Sequence, residues 1–135
     1  MKMLLIDKDI TTIAKIQHIF SNIGIEVHSA VNEHEALDVL DEFEFDVVFL
    51  DIDTIPNKHI NLITKIRKIN SVLEIILMVE QDNLEIALDA MNNGATDYLV
   101  KPISIKDLLK QAEDSCHKMR RYRQLIASTK EIHHH

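Results

Sequence analysis

Five short strand-like segments, each followed by a segment of helical spacing, constrain this chain more than any other feature. Residues 3–6, 26–30, 46–50, 74–79 and 96–100 have strand length, and the third and fourth are almost continuously apolar. Such runs mark strands covered on both faces. Between them, Ile13, Ile16, Phe20 and Ile23 share one helical face over residues 10–23, with Asp9 as a cap and Gly24 as a stop. Asn32-Glu33-His34-Glu35 and Asp82-Asn83-Leu84-Glu85 read as capping boxes. The stripes behind them are Ala36, Leu37, Leu40 and Phe43, then Leu84, Ala87, Leu88 and Met91. Residues 60–69 form a third helix. A last one starts near Ser104 and runs through Leu108, Leu109, Ala112, Cys116 and Met119 toward Ile126.

Strict alternation of this kind implies parallel strands joined by right-handed crossovers, with helices on both faces. The expected fold is α/β, a doubly wound five-stranded parallel sheet in flavodoxin-like order. Three of its strands end in charge. Met3-Leu4-Leu5-Ile6 leads to Asp7, Val47-Val48-Phe49-Leu50 leads to Asp51, and Tyr98-Leu99-Val100 leads to Lys101. In an open parallel sheet, chemistry gathers outside the carboxyl ends of the strands. Two acids and a lysine at one edge suit a carboxylate nucleophile that forms an acyl phosphate, with a cation beside it to offset the anionic phosphoryl group.

At 135 residues the chain fits one domain, large enough to bury a core without disulfides or metals. A net charge of −7 argues against general nucleic-acid binding. The run His117-Lys118-Met119-Arg120-Arg121-Tyr122-Arg123 reads either as a solvated helix face or as a partner-binding segment. The lone Cys116 has no disulfide partner and no metal spacing, which points to a reducing cytoplasm. No apolar stretch approaches the ~18 residues of a membrane span. His18, His28, His34, His59 and His117 lack ligand spacing and read as surface residues, and His133-His134-His135 reads as a tag remnant.

Leu4-Leu5-Ile6-Asp7, Leu50-Asp51 and Gly94-Ala95-Thr96-Asp97-Tyr98-Leu99-Val100-Lys101-Pro102 resemble the motifs of bacterial response-regulator receiver domains, the CheY-like family. The resemblance covers residues 1–119, leaving 120–132 as a helix extension or linker and 133–135 as tag. It implies that Asp51 is the phosphoacceptor and that Lys101 contacts the phosphoryl group. Asp7 is implied as a magnesium-binding acid with Asp51, Tyr98 as a switch aromatic, and Lys101-Pro102 as a cis peptide. It further implies a sensor histidine kinase or phosphotransfer protein as donor. A downstream protein partner is implied on the fourth helix, last strand and final helix.

The departures from that pattern matter as much as the matches. Lys8 stands at the second metal-ligand position, where the family carries an acid, so magnesium binding is expected to be weak or absent. Val79 stands at the switch hydroxyl position and cannot donate a hydrogen bond. Glu80 adds an acid beside it, and Asp53 adds another in the acceptor loop. An ammonium and a carboxylate ~4 Å apart attract by about 4 kcal/mol at an effective dielectric of ~20, so Lys8 is expected to reach toward Asp51 or Asp7. The leading reading is an atypical, non-enzymatic receiver. The alternative is a pseudo-receiver that works as a phosphorylation-independent interaction module. A haloacid-dehalogenase-type aspartyl-phosphate phosphatase, suggested by Asp51-Ile52-Asp53-Thr54, lacks the further acids it would need. Ile105, Leu108, Ala112, Ser115, Met119, Tyr122 and Ile126 keep a 3-4 spacing that could form a weak homodimer seam.

Overall fold

The computed structural model describes the backbone of residues 1–133 and the side chains of residues 1–129. The expected tag remnant therefore lies outside the described side chains. The strands are β1 (Lys2–Ile6), β2 (Glu26–Ala30), β3 (Val47–Asp51), β4 (Glu74–Val79) and β5 (Asp97–Val100). The helices are α1 (Ile10–Ser21), α2 (Glu33–Glu42), α3 (His59–Ile69), α4 (Leu84–Asn92) and α5 (Ile105–His133). All strand pairs are parallel, in the order β2-β1-β3-β4-β5. This is the expected flavodoxin-like order, and it puts β3 at the centre.

Side chains alternate across the sheet because successive strand residues face opposite sides. Leu4, Ile6, Val48, Leu50, Ile75, Leu77 and Val79 pack with residues of α2, α3 and α4. Met3, Leu5, Val47, Phe49, Ile76 and Met78 pack on the other side with α1 and α5. Each fully buried Leu, Ile or Phe among them contributes about 1.5–3 kcal/mol of transfer free energy.

Several helix details differ from the sequence expectation. Helix α1 stops at Ser21, so Ile23 is 54% exposed. The chain then turns through Gly24 at φ 81°, and Ile25 N–H donates to the Phe20 carbonyl at 2.9 Å. The Asp82 capping box does not form. A 3-10 turn covers Gln81–Asn83, and Asn83 makes no side-chain cap bond to α4. The buried face of α4 is set by Ala87 and Ala90, whose small side chains allow close approach, while Leu88 is 57% exposed. Two histidines are not free surface groups. His28 packs against Phe43 with ring centroids 4.4 Å apart, and His59 Nδ1 is buried without a hydrogen-bond partner.

Helix α5 runs unbroken past Met119 to His133. Leu108, Ala112, Ser115 and Met119 are buried in the chain's own fold, which removes them from the suggested dimer seam. The basic run has a structural use at the opposite edge of the sheet. Arg123 pairs with Asp46 at 2.9 Å, and Lys118 with Glu74 at 3.4 Å. Both acids are buried at the amino ends of β3 and β4. Asp46 also accepts the Lys2 backbone N–H at 2.8 Å.

Candidate functional site

Asp51 is the last residue of β3, and its carboxylate is buried at the carboxyl edge of the sheet. Its Oδ1 accepts from the Asp53 backbone N–H at 3.1 Å, which closes a 3-10 turn over Ile52–Thr54. The same Oδ1 accepts from Lys101 Nζ at 2.8 Å. Lys101 lies just beyond β5, where its backbone N–H donates to the Val79 carbonyl at 2.8 Å. The next peptide bond, Lys101-Pro102, is cis, as the resemblance implies.

Lys101 serves three carboxylates. Beyond Asp51, its ammonium is 3.4 Å from Asp53 Oδ2 and 3.9 Å from Glu80 Oε1. Burial works against the ammonium. The hydrogen bond and charge of Asp51, with Asp53 behind it, outweigh that cost and hold the Lys101 pKa above the ordinary lysine value.

Asp7 follows β1 and is also buried. Burial raises its carboxyl pKa, and the nearby Asp51 charge pushes the same way. A hydrogen bond from the Asp9 N–H to Oδ1, at 2.9 Å, opposes both. Asp9 itself caps α1, accepting from the Thr11 and Thr12 N–H groups. Thr12 and Lys15 of α1 join Asp7, Asp51, Glu80, Lys101, Ile103 and Ser104 along one open groove. Neither Thr12 nor Lys15 stands out in the sequence, because helical spacing gives no sign that their turn faces the strand ends.

Lys8 does not pair with either acid as expected. Its Nζ donates to the Asp53 backbone carbonyl at 3.4 Å, and its backbone N–H donates to Thr54 Oγ1 at 2.9 Å. The turn after Asp51 presents a carbonyl toward β1, and the exposed lysine takes that neutral acceptor. Val79 is 1% exposed and lies in the core cluster. Tyr98 is half-buried against the same cluster, paired in register with Leu77. Among the described residues, no group of three or more His, Cys, Asp or Glu side chains is arranged to hold a metal ion. Asp51 and Asp53 are both engaged by Lys101, and Lys8 covers the Asp53 carbonyl.

A 2-1-3-4-5 parallel sheet with a buried aspartate, a second acid and a lysine at its carboxyl edge is the arrangement of a receiver-type signalling module. The chain belongs to the response regulator receiver domain family, whose model matches residues 3–113. It is 29% identical over 105 residues to the transcriptional regulatory protein ZraR of Escherichia coli K12, covering 78% of this chain and 24% of that protein. To LytR of Staphylococcus aureus N315 it is 32% identical over 108 residues, covering 78% of this chain and 43% of that one. The chain thus spans less than half the length of these curated relatives. A response regulator receiver domain protein from Clostridium thermocellum superposes with a TM-score of 0.81 at 27% identity, covering 90% of this chain and 98% of that one. NtrX from Brucella abortus, in complex with ADP, gives a TM-score of 0.85 at 25% identity, over 96% of this chain and 29% of that one. The protein is a receiver domain of the two-component response-regulator type. No described helix is long and apolar enough to cross a membrane.

Proposed function

We propose that this receiver accepts a phosphoryl group on Asp51 from a sensor histidine kinase or phosphotransfer protein, and that it signals without enzymatic turnover of its own, in the cytoplasm. The observation that carries the reading is the 2.8 Å contact between Lys101 and Asp51 beside an open groove. A carboxylate already held by an ammonium is placed to attack phosphorus while the cation offsets charge on the transferring oxygens. Lys101 acts as the phosphoryl contact. Asp7 and Asp53 are the flanking acids, and magnesium binds weakly or not at all. Mass spectrometry after incubation with acetyl phosphate and magnesium tests this. A phosphoryl adduct mapping to Asp51, absent in Asp51→Asn, is expected. An unmodified chain overturns it.

The burial of Val79 and the packing of Tyr98 favour a second reading, in which the fold works as a phosphorylation-independent interaction module. The output surface in either reading is the face of α4, β5 and α5, where Leu88 and Val100 are exposed. A weak homodimer through Tyr122 and Ile126 of the projecting α5 is testable by light scattering. The full chain should self-associate and a truncation after Met119 should not. Two monomers at high concentration would eliminate the seam.

A further inference from the structure

Lys8 is held against the turn that begins at the acceptor. Its backbone N–H is bound to Thr54 Oγ1 and its ammonium to the Asp53 carbonyl, while the Asp53 N–H is bound to Asp51 Oδ1. The ammonium has three donors, and that carbonyl takes one of them. It forms no ion pair with Asp7 or Asp51, so the remaining donors are not committed to a carboxylate.

The charge around the groove makes such a cation valuable. Asp7, Asp9, Asp51 and Glu80 line it with Lys15 and Lys101, while Asp53 adjoins it through Lys101, and Lys8 adjoins it through the Asp53 carbonyl. Five carboxylates and three ammonium groups leave a deficit of two positive charges. Phosphorylating Asp51 deepens the deficit, because an acyl phosphate carries more negative charge than the carboxylate it replaces. A divalent ion at this edge would sit beside the Lys8 and Lys101 ammonium groups, which oppose its charge.

We propose that Lys8 is the resident cation of this site, so that Asp51 accepts a phosphoryl group without a divalent metal ion. The proposal rests on Asp51 being the acceptor. In the transfer from a small acyl phosphate, an Asp51 carboxylate oxygen attacks phosphorus and forms a new O–P bond. The donor's own O–P bond breaks, and its carboxylate leaves with the electron pair, so no proton or redox partner is needed. Lys101 holds Asp51 from beyond β5, and Lys8 holds the Asp53 carbonyl from beyond β1, on the other side of β3.

The test incubates the full chain with acetyl phosphate, once in chelator and once in magnesium chloride, and follows the intact mass over time. The wild-type chain is expected to label at rates within about twofold in the two conditions. Lys8→Met should label more than about tenfold more slowly in chelator, and Lys8→Asp should become at least about tenfold faster with magnesium than without it. Lys8 is exposed, so neither variant threatens the fold. Wild-type labelling that needs magnesium overturns the role of Lys8 and leaves Asp51 as acceptor. Equal labelling of wild type and Lys8→Met in chelator overturns that role too. No labelling of any chain in either condition overturns both the acceptor and the inference.

Discussion

Lys101 and Asp51 lie 50 positions apart in the chain and meet at 2.8 Å across the carboxyl edge of the sheet. They come from strands that are not neighbours, since β4 runs between β3 and β5. The pair therefore bridges over the end of β4, where Val79 lies in the core and Glu80 approaches the same ammonium. A buried ion pair offers little net stabilisation once desolvation is counted, but removing one partner strands the other charge.

Lys101→Met should accordingly destabilise the fold. Asp51, Asp53 and Glu80 would face one another without their shared cation. The expected loss is about 1–3 kcal/mol, below the range for a fully buried pair because the lysine side chain is 25% exposed. Asp51→Asn placed in the same chain should recover part of it. Urea denaturation of the single and double variants checks both. Two unchanged midpoints would show that the pair contributes nothing to stability.

Asp7→Asn should stabilise the protein at neutral pH. Burial raises the Asp7 pKa above its ordinary 3.8, so folding favours the protonated acid. That contribution is present below pH 3.8 and is lost as pH rises through the higher folded value. At pH 7 the ionised carboxylate is a cost, whereas asparagine keeps an oxygen to accept the Asp9 N–H. A gain of about 1 kcal/mol, or roughly 3–5 °C in Tm, is expected at pH 7, shrinking toward pH 4. A gain that is independent of pH would locate the effect elsewhere.

His59 should make the protein sensitive to mild acid. Burial lowers its pKa below 6.5, and the Asp89 charge only partly opposes this. The neutral ring is favoured in the fold, so its stability contribution is complete above pH 6.5 and is lost as pH falls below that value. His59→Gln should flatten the stability profile between pH 6.5 and 5 while moving neutral stability little. Melting curves across that interval decide it, and two parallel profiles would refute the assignment.

Val79 should uncouple Asp51 from Tyr98. A ligand shifts a two-state equilibrium only by its differential affinity for the two states, and Val79 offers a phosphoryl group no donor. Losing such a bond to a charged partner removes about 1.5–3 kcal/mol of driving energy. With beryllofluoride and magnesium, amide chemical-shift changes should stay in the acceptor loop of the wild type. They should extend to Tyr98 and α5 in Val79→Thr. Wild-type changes that reach α5 would show an intact switch.

Gly94→Ala should cost about 1–3 kcal/mol. Gly94 has φ 120°, a conformation few L residues adopt, and an added Cβ would meet Arg67 Cγ at 3.0 Å. Arg67 donates to the Gly94 carbonyl at 2.7 Å, to the Leu73 carbonyl and to Thr96 Oγ1 at 3.3 Å, tying α3 to the start of β5. Thermal melting of Gly94→Ala beside Arg67→Ala tests the clamp. An undisturbed Gly94→Ala melt would mean that the loop relaxes freely.

Strand and helix identity could be read from the chain because hydrophobic period is a local property. The continuous apolar runs of β3 and β4 and the 3-4 spacing in α1 needed no long-range information. Asp7, Asp51 and Lys101 were readable as one group because each ends or directly follows a strand, and parallel strands share a carboxyl edge. Side-chain partners were not readable. Lys8 binds the Asp53 carbonyl, 45 positions away, because the turn after Asp51 presents an acceptor that no sequence pattern marks. Arg67 on Gly94 and Arg123 on Asp46 have the same origin, a charged side chain meeting a group that strand order brings near. The outward turn of Leu88 follows from which alanines let α4 approach its neighbours, a matter of packing depth that periodicity does not encode.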